Sequence, residues 1–178
     1  IFGVYEVNSS SSPANNSFVT ASPGIAKGTG FNVSVEKINT SQPSARFKLS
    51  ATHPDIADIY TPYYHNVYEN SRWNLSVKVV KDASNKFVSP STGKYKVEFC
   101  GYNYLVDNLQ NYFELSTAMP VEQHRGFLSS SKTIFIGAHR MNITGKVLQQ
   151  TDIKIMNFSA WNDALTSEEL KLRTQNPS

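Results

Sequence analysis

Apolar and polar residues alternate with a period of two along most of this chain. Phe31, Val33 and Val35 are separated by Asn32 and Ser34, and Ala45, Phe47 and Leu49 by Arg46 and Lys48. Trp73, Leu75, Val77 and Val79 repeat the pattern against Asn74, Ser76 and Lys78, as do Tyr95, Val97 and Phe99 against Lys96 and Glu98. Each such stretch predicts a strand with one face on a core and one in water. Further short strands are expected over residues 2–7, 17–21, 112–116 and 133–137, with Pro23-Gly24, Gly28-Thr-Gly30 and Thr92-Gly93 as turn signals. Residues 151–161 read as a long strand. Ile153 with Ile155 and Phe158 with Ala160 form two alternating pairs whose phase slips near Met156, as a β-bulge would make it. Thr166 then suits an N-cap, because Glu169 three residues on completes a capping box and Glu168 suits the positive helix end. Leu165, Leu170 and Leu172 can fold that helix back onto a sheet. Many short strands and one convincing helix predict an all-β, two-sheet antiparallel jelly-roll sandwich closed by a short C-terminal helix.

The 178 residues suit a single domain over 1–178 with a real core. The start at Ile1 points to a segment of something longer, or a processed product. Seventeen basic against fourteen acidic residues leave a net charge of +3, scattered without a block of like charge, so nucleic acid is not an expected partner. No apolar run approaches the length of a membrane span, and membrane insertion is not expected. The single cysteine, Cys100, excludes an intrachain disulfide and reads as a small half-buried hydrophobe in a strand. Low charge with abundant Ser, Thr and Asn fits a virion or extracellular setting.

Several strand positions and their order resemble a laminin-G-like domain of the concanavalin A-like superfamily. The carriers are Ser17-Phe-Val-Thr-Ala21 with Gly30-Phe-Asn-Val-Ser-Val-Glu-Lys37, the stretch Glu69-Asn-Ser-Arg-Trp73 entering a strand, and Ile134-Phe-Ile-Gly137. Asn157-Phe-Ser-Ala-Trp-Asn-Asp-Ala-Leu-Thr-Ser-Glu-Glu-Leu170 is the most specific block. The block Gly137-Ala-His-Arg-Met-Asn-Ile-Thr-Gly145 looks most like domains of tailed-phage structural proteins. The resemblance implies the sandwich, with Trp73 roofing its core. It departs from the pattern where an aromatic-Val-Asp-Gly hairpin is expected, since Glu98-Phe-Cys-Gly-Tyr-Asn103 lacks the Asp. The linkers over 52–70 and 103–131 are long for a compact member.

Catalytic chemistry finds little support. The Glu-x-Asp-x-x-Glu strand of glucanases with this fold is missing, and Glu98 and Glu114 have no carboxylate two or four residues away. No cofactor is expected, and the four histidines are dispersed without zinc-ligand spacing. Calcium, which the resemblance would place on a rim, could be met by Asp107 or Asp152, against a reading in which both make turns. The candidate ligand surface is Tyr60, Tyr63, Tyr64 and Tyr68 around Pro62, extendable by Tyr102 and Tyr104, because tyrosine offers a rigid ring and a polar hydroxyl. Alternate tyrosines could equally cover the core while the rest pack on a neighbour. His139 and Arg140 at a strand end could face a ligand or brace a hairpin. The expected role is a non-catalytic interaction domain contacting other structural subunits or a host surface. A lectin reading a cell-surface glycan is the alternative, and a glycoside hydrolase the third.

Overall fold

The computed structural model describes residues 1–7, 30–65, 67–68, 71–81, 95–129, 131–140, 147–150 and 153–175. It is the expected all-β sandwich. Strands β1 (Phe2–Val7), β2 (Gly30–Lys37), β3 (Ala45–Ala51), β4 (Ile59–Tyr60) and β8 (Ser131–Ile136) make one antiparallel sheet in the order β4-β3-β2-β1-β8. Strands β5 (Trp73–Lys81), β6 (Tyr95–Leu105) and β7 (Asn108–Met119) make the second, with β6 central. β9 (Ala138–Arg140) and β10 (Val147–Gln150) form a separate two-stranded ribbon. Helix α1 (Val121–Ser129) follows β7, and α2 (Ser167–Gln175) ends the described chain.

Cross-strand partners share a face, so register converts the alternation into layers. Val33 pairs with Leu49 and Val35 with Phe47, which puts all four side chains on the inner face of the five-stranded sheet. Val77, Phe99 and Leu115 make the matching row of the three-stranded sheet. Phe31, Val33, Phe47, Leu49, Val97, Phe99 and Phe113 are the buried centre, and Trp73 packs against it with its ring 4.8 Å from that of Phe47. The roof position expected of Trp73 is therefore a core contact.

A smaller apolar layer lies on the outer face of the three-stranded sheet. Leu170 of α2, flanked by Leu165, buries Cys100, Tyr102 and Tyr104, whereas Leu172 faces solvent. The capping box forms as expected: the Glu169 amide donates to Thr166 Oγ1 at 3.2 Å, and the Thr166 amide donates to Glu169 Oε2 at 2.7 Å. Lys78 Nζ donates to the Leu165 carbonyl and Arg72 Nη2 to that of Thr174, tying both ends of the helix to the sheet.

Three differences from the sequence reading matter. Residues 153–161 form no strand: they pair with nothing among the described residues, and Ile153, Ile155, Phe158 and Trp161 are exposed. Their alternation records a capacity for pairing that this conformation leaves unused. Residues 103–131 are no linker but the end of β6, all of β7 and the unforeseen helix α1. β6 and β7 join through a two-residue turn at Val106-Asp107. Val106 adopts φ 56° there, a left-handed conformation that strains a β-branched residue. Gly137, where β8 turns into β9, has φ 72° and uses the conformational freedom of glycine. The strand expected over 17–21 lies outside the described residues.

Candidate functional site

The tyrosine cluster follows β3 across the edge of the five-stranded sheet. Thr61 continues the ladder beyond β4: its amide donates to the Phe47 carbonyl, and its Oγ1 accepts from the Phe47 amide at 2.9 Å. An isolated bridge between Ala45 and Tyr64, with N–O distances of 3.0 and 2.8 Å, pins the chain again. That bridge decides which ring points where. Tyr64 turns inward against Phe47, Trp73 and Phe113, so it belongs to the core and not to a stacking platform. Tyr60 and Tyr63 turn outward, each 42% exposed, and Tyr68 is 52% exposed. Tyr102 and Tyr104 do not extend the group, being buried in the other sheet beneath α2.

The exposed rings meet cations that the local sequence does not supply. Glu36 of β2 pairs directly with Arg46 of β3, and Lys48 of β3 pairs with Tyr60 of β4, all on the outer face. Arg46 donates through Nε and Nη2 to Glu36 Oε2 at 3.0 and 2.8 Å, which fixes the plane of its guanidinium. That guanidinium lies 4.3 Å from the Tyr60 ring centre and 5.3 Å from that of Tyr63. Lys48 stands 5.1 Å from the Tyr60 ring and 3.1 Å from Asp58, and the Tyr60 hydroxyl donates to Asp58. Burial lowers the Lys48 pKa, but the Tyr60 and Asp58 contacts outweigh it and raise it above its ordinary value. Lys37 caps Tyr68 at 4.3 Å. Each exposed ion pair contributes little to stability, but together they hold Tyr60 and Tyr63 in fixed positions. The arrangement offers rigid aromatic area edged by donors and acceptors. Beside it, Ser44 Oγ and His65 Nδ1 lie 2.8 Å apart next to the Ala45–Tyr64 bridge.

A second polar group lies on the outer face of the three-stranded sheet. Glu98 pairs with Ser116 and Cys100 with Glu114, so Glu98 and Glu114 are diagonal neighbours, a relation that spacing along the chain could not reveal. Burial pushes the Glu98 carboxyl up, but Lys96 and Lys78, the latter at 2.9 Å, outweigh it and hold its pKa below the usual carboxylate value. A carboxylate kept ionised in this way is unsuited to general-acid work near neutral pH. The Tyr102 hydroxyl donates to Glu114, whose carboxylate also lies 3.9 Å from Lys171 of α2. Burial raises the Cys100 thiol to about 11, which removes the thiolate that a nucleophile needs.

Glu98 predicts a pH response. Unfolded, the group binds its proton near the ordinary value of 4.5, and folded only at lower pH. The stability it contributes is therefore full above that value and is lost as pH falls through the folded pKa. Glu98→Gln is expected to be less stable than wild type at pH 7 and to lose less further stability between pH 5 and 3. Urea titrations across that range measure this, and parallel pH profiles for the two proteins would contradict it.

The remaining candidates do not converge. Asp107 occupies the exposed β6–β7 turn, and Asp152 lies outside the described residues. Among the described residues no three His, Cys, Asp or Glu side chains gather to hold a metal ion. His139 and Arg140 lie in β9, opposite Gln149 and Val147 of β10, and their side chains lie outside the described residues. No described helix is long and apolar enough to cross a membrane. Comparison with family models, with curated proteins and with solved structures finds no match to this chain.

Proposed function

We propose that the chain is a laminin-G-like, non-catalytic interaction domain of a larger virion or extracellular structural protein, contacting neighbouring subunits or a host surface. The observation that carries this reading is the Tyr60–Arg46–Tyr63 stack, exposed on the outer face of the five-stranded sheet. Tyrosine and arginine held rigid by Glu36 and Lys48 are the residue types that dominate protein interfaces, because they bring contact area with little entropy left to lose. The ion pairing of Glu98 and the raised thiol pKa of Cys100 favour binding over catalysis.

A glycan is the second reading. Tyr60 and Tyr63 present ring area beside Asp58, Lys48 and Glu36, which could serve sugar hydroxyls. Tyr60→Ala/Tyr63→Ala separates the two. Binding of the domain to its parent assembly, measured by biolayer interferometry, is expected to weaken about tenfold or more in the double variant. Immobilised glycans, tested in parallel, would carry the lectin reading if they bind wild type and not the variant. Unchanged binding to both by the variant would remove this face from the function.

A further inference from the structure

The hairpin of β6 and β7 ends in an apolar tip. Leu105 is 66% exposed, Val106 80% and Leu109 40%. Leu105 pairs with Asn108 and Leu109 with Tyr104, so the two leucines project from opposite faces of the ribbon. The apolar surface therefore wraps the tip and does not mark a single face of it. At its apex the β-branched Val106 holds φ 56°, a conformation that Gly or Asn adopts with less strain. Exposed apolar area and backbone strain both work against the folded hairpin. A residue kept in such a conformation points to a contact that uses it. Asp107 beside it is the one charged residue over 103–112.

The outer face of the five-stranded sheet offers the complement. The exposed rings of Tyr60 and Tyr63 give flat apolar area, with the Arg46 guanidinium beside both. Among the described residues Arg46 gives Nε and Nη2 to Glu36 and keeps the two N–H groups of Nη1 for another acceptor. Lys48, 3.1 Å from Asp58, edges the same area. An apolar knob bearing a carboxylate and no cation thus matches two rings edged by cations. The tip belongs to the second sheet and the rings lie on the far face of the first, with the core between them. One chain therefore cannot bring its own tip to its own rings. A lipid bilayer is the weaker fit, because Asp107 would have to enter it and residues 103–112 hold no Lys or Arg to meet headgroup phosphate.

We infer that the occupant of the Tyr60–Arg46–Tyr63 face is the β6–β7 tip of a second copy of this chain. Leu105 and Val106 lie on the two rings, and Asp107 accepts from Arg46 Nη1 and approaches Lys48. The inference rests on the reading of that face as a contact surface and names its partner. Tip and face are on different sides of the sandwich, so the contact is head-to-tail and adds copies in series. Its area is small for a specific interface, so one contact is weak and gains strength where a parent assembly repeats it.

Sedimentation velocity of the chain alone, from about 5 to about 500 μM, tests this. The weight-average mass of wild type is expected to rise about twofold or more over that range. Leu105→Ser/Val106→Asn removes the knob and Tyr60→Ala/Tyr63→Ala the rings, and each variant is expected to stay monomeric throughout. Asn tolerates the left-handed turn position, so the tip variant is expected to keep its urea midpoint. Mixed in equal amounts, the two variants are expected to form a dimer that grows no further, because one still has a face and the other a tip. A wild type that stays monomeric overturns the inference, as does growth that survives either variant or a mixture that stays monomeric. Co-sedimentation of wild type with phosphatidylcholine–phosphatidylserine vesicles, lost in the tip variant, overturns it in favour of a membrane. Should the double face variant fail to fold, Tyr60→Ala alone takes its place. If wild type is monomeric while Tyr60→Ala/Tyr63→Ala still weakens binding to the parent assembly, the face keeps its contact role and only the second-copy occupant falls.

Discussion

Phe47→Ala is expected to lower the free energy of unfolding by about 3–5 kcal/mol, the largest effect of any single truncation considered. The ring is 2% exposed and joins the two layers: it lies 4.8 Å from Trp73 and 5.8 Å from Phe113 of the second sheet, and 6.4 Å from Tyr64 beyond its own sheet edge. Because those neighbours are themselves rings braced by one another, they cannot collapse into the space, and the cavity persists. The Phe47 backbone continues to bond Thr61, so the strand survives the loss of its side chain. Urea denaturation is expected to show a lower midpoint with an unchanged slope. Tyr60→Ala, two residues into the adjoining ladder but on the outer face, is the control and is expected to cost less than about 1 kcal/mol. Equal costs for the two would mean that the faces have been assigned the wrong way round.

The same contrast explains why so much of the fold was legible. A strand with one wet face declares both its existence and its orientation, and Phe31/Val33, Phe47/Leu49 and Leu75/Val77 announce β2, β3 and β5 for that reason. β6 shows where the signal stops. Its first residues alternate, but from Phe99 to Tyr104 every residue is buried, because the core covers one side and α2 the other. A strand covered on both faces has no reason to alternate, so periodicity does not distinguish its end from a linker. Residues 153–161 are the opposite case, with a strong alternation and no partner strand among the described residues. Local pattern reports what a segment can pair as, whereas pairing depends on an edge elsewhere in the chain.

The candidate surface was legible only in part for a related reason. The tyrosines were conspicuous by spacing, but their directions are set by the bridge from Tyr64 to Ala45, nineteen residues earlier. Alternation marks Arg46 and Lys48 only as the solvent side of a strand. Their proximity to Tyr60 follows from register between β3 and β4, and the hold on Arg46 from register between β2 and β3. Opposite charges at Glu36 and Arg46 could have flagged that register, since direct cross-strand ion pairs are a recognised preference.

Gly101→Ala tests the second sheet from within. Gly101 sits between Leu75 and Phe113 in one cross-strand row, and a β carbon there would stand 2.3 and 2.5 Å from two Phe113 ring carbons and 3.0 Å from Leu75 Cδ2. Two effects oppose each other. Replacing a strand glycine reduces the entropy lost on folding, a gain of about 0.5–1 kcal/mol. Against it, the Phe113 ring must move, although it is hemmed in by Phe99 at 4.8 Å, Phe47 at 5.8 Å and Trp73 at 6.1 Å. Overpacking of that kind costs about 1–3 kcal/mol and more where neighbours cannot give, so a net destabilisation of about 2 kcal/mol is expected. Phe113→Leu removes the obstructing ring, and in that background Gly101→Ala is expected to cost little or to stabilise. The double-mutant cycle should therefore show a coupling of about 1–2 kcal/mol. Additive costs would mean that the ring does not lie over Gly101, and the contact that lets β6 pack closely beneath an aromatic cluster would have to be sought elsewhere in the row.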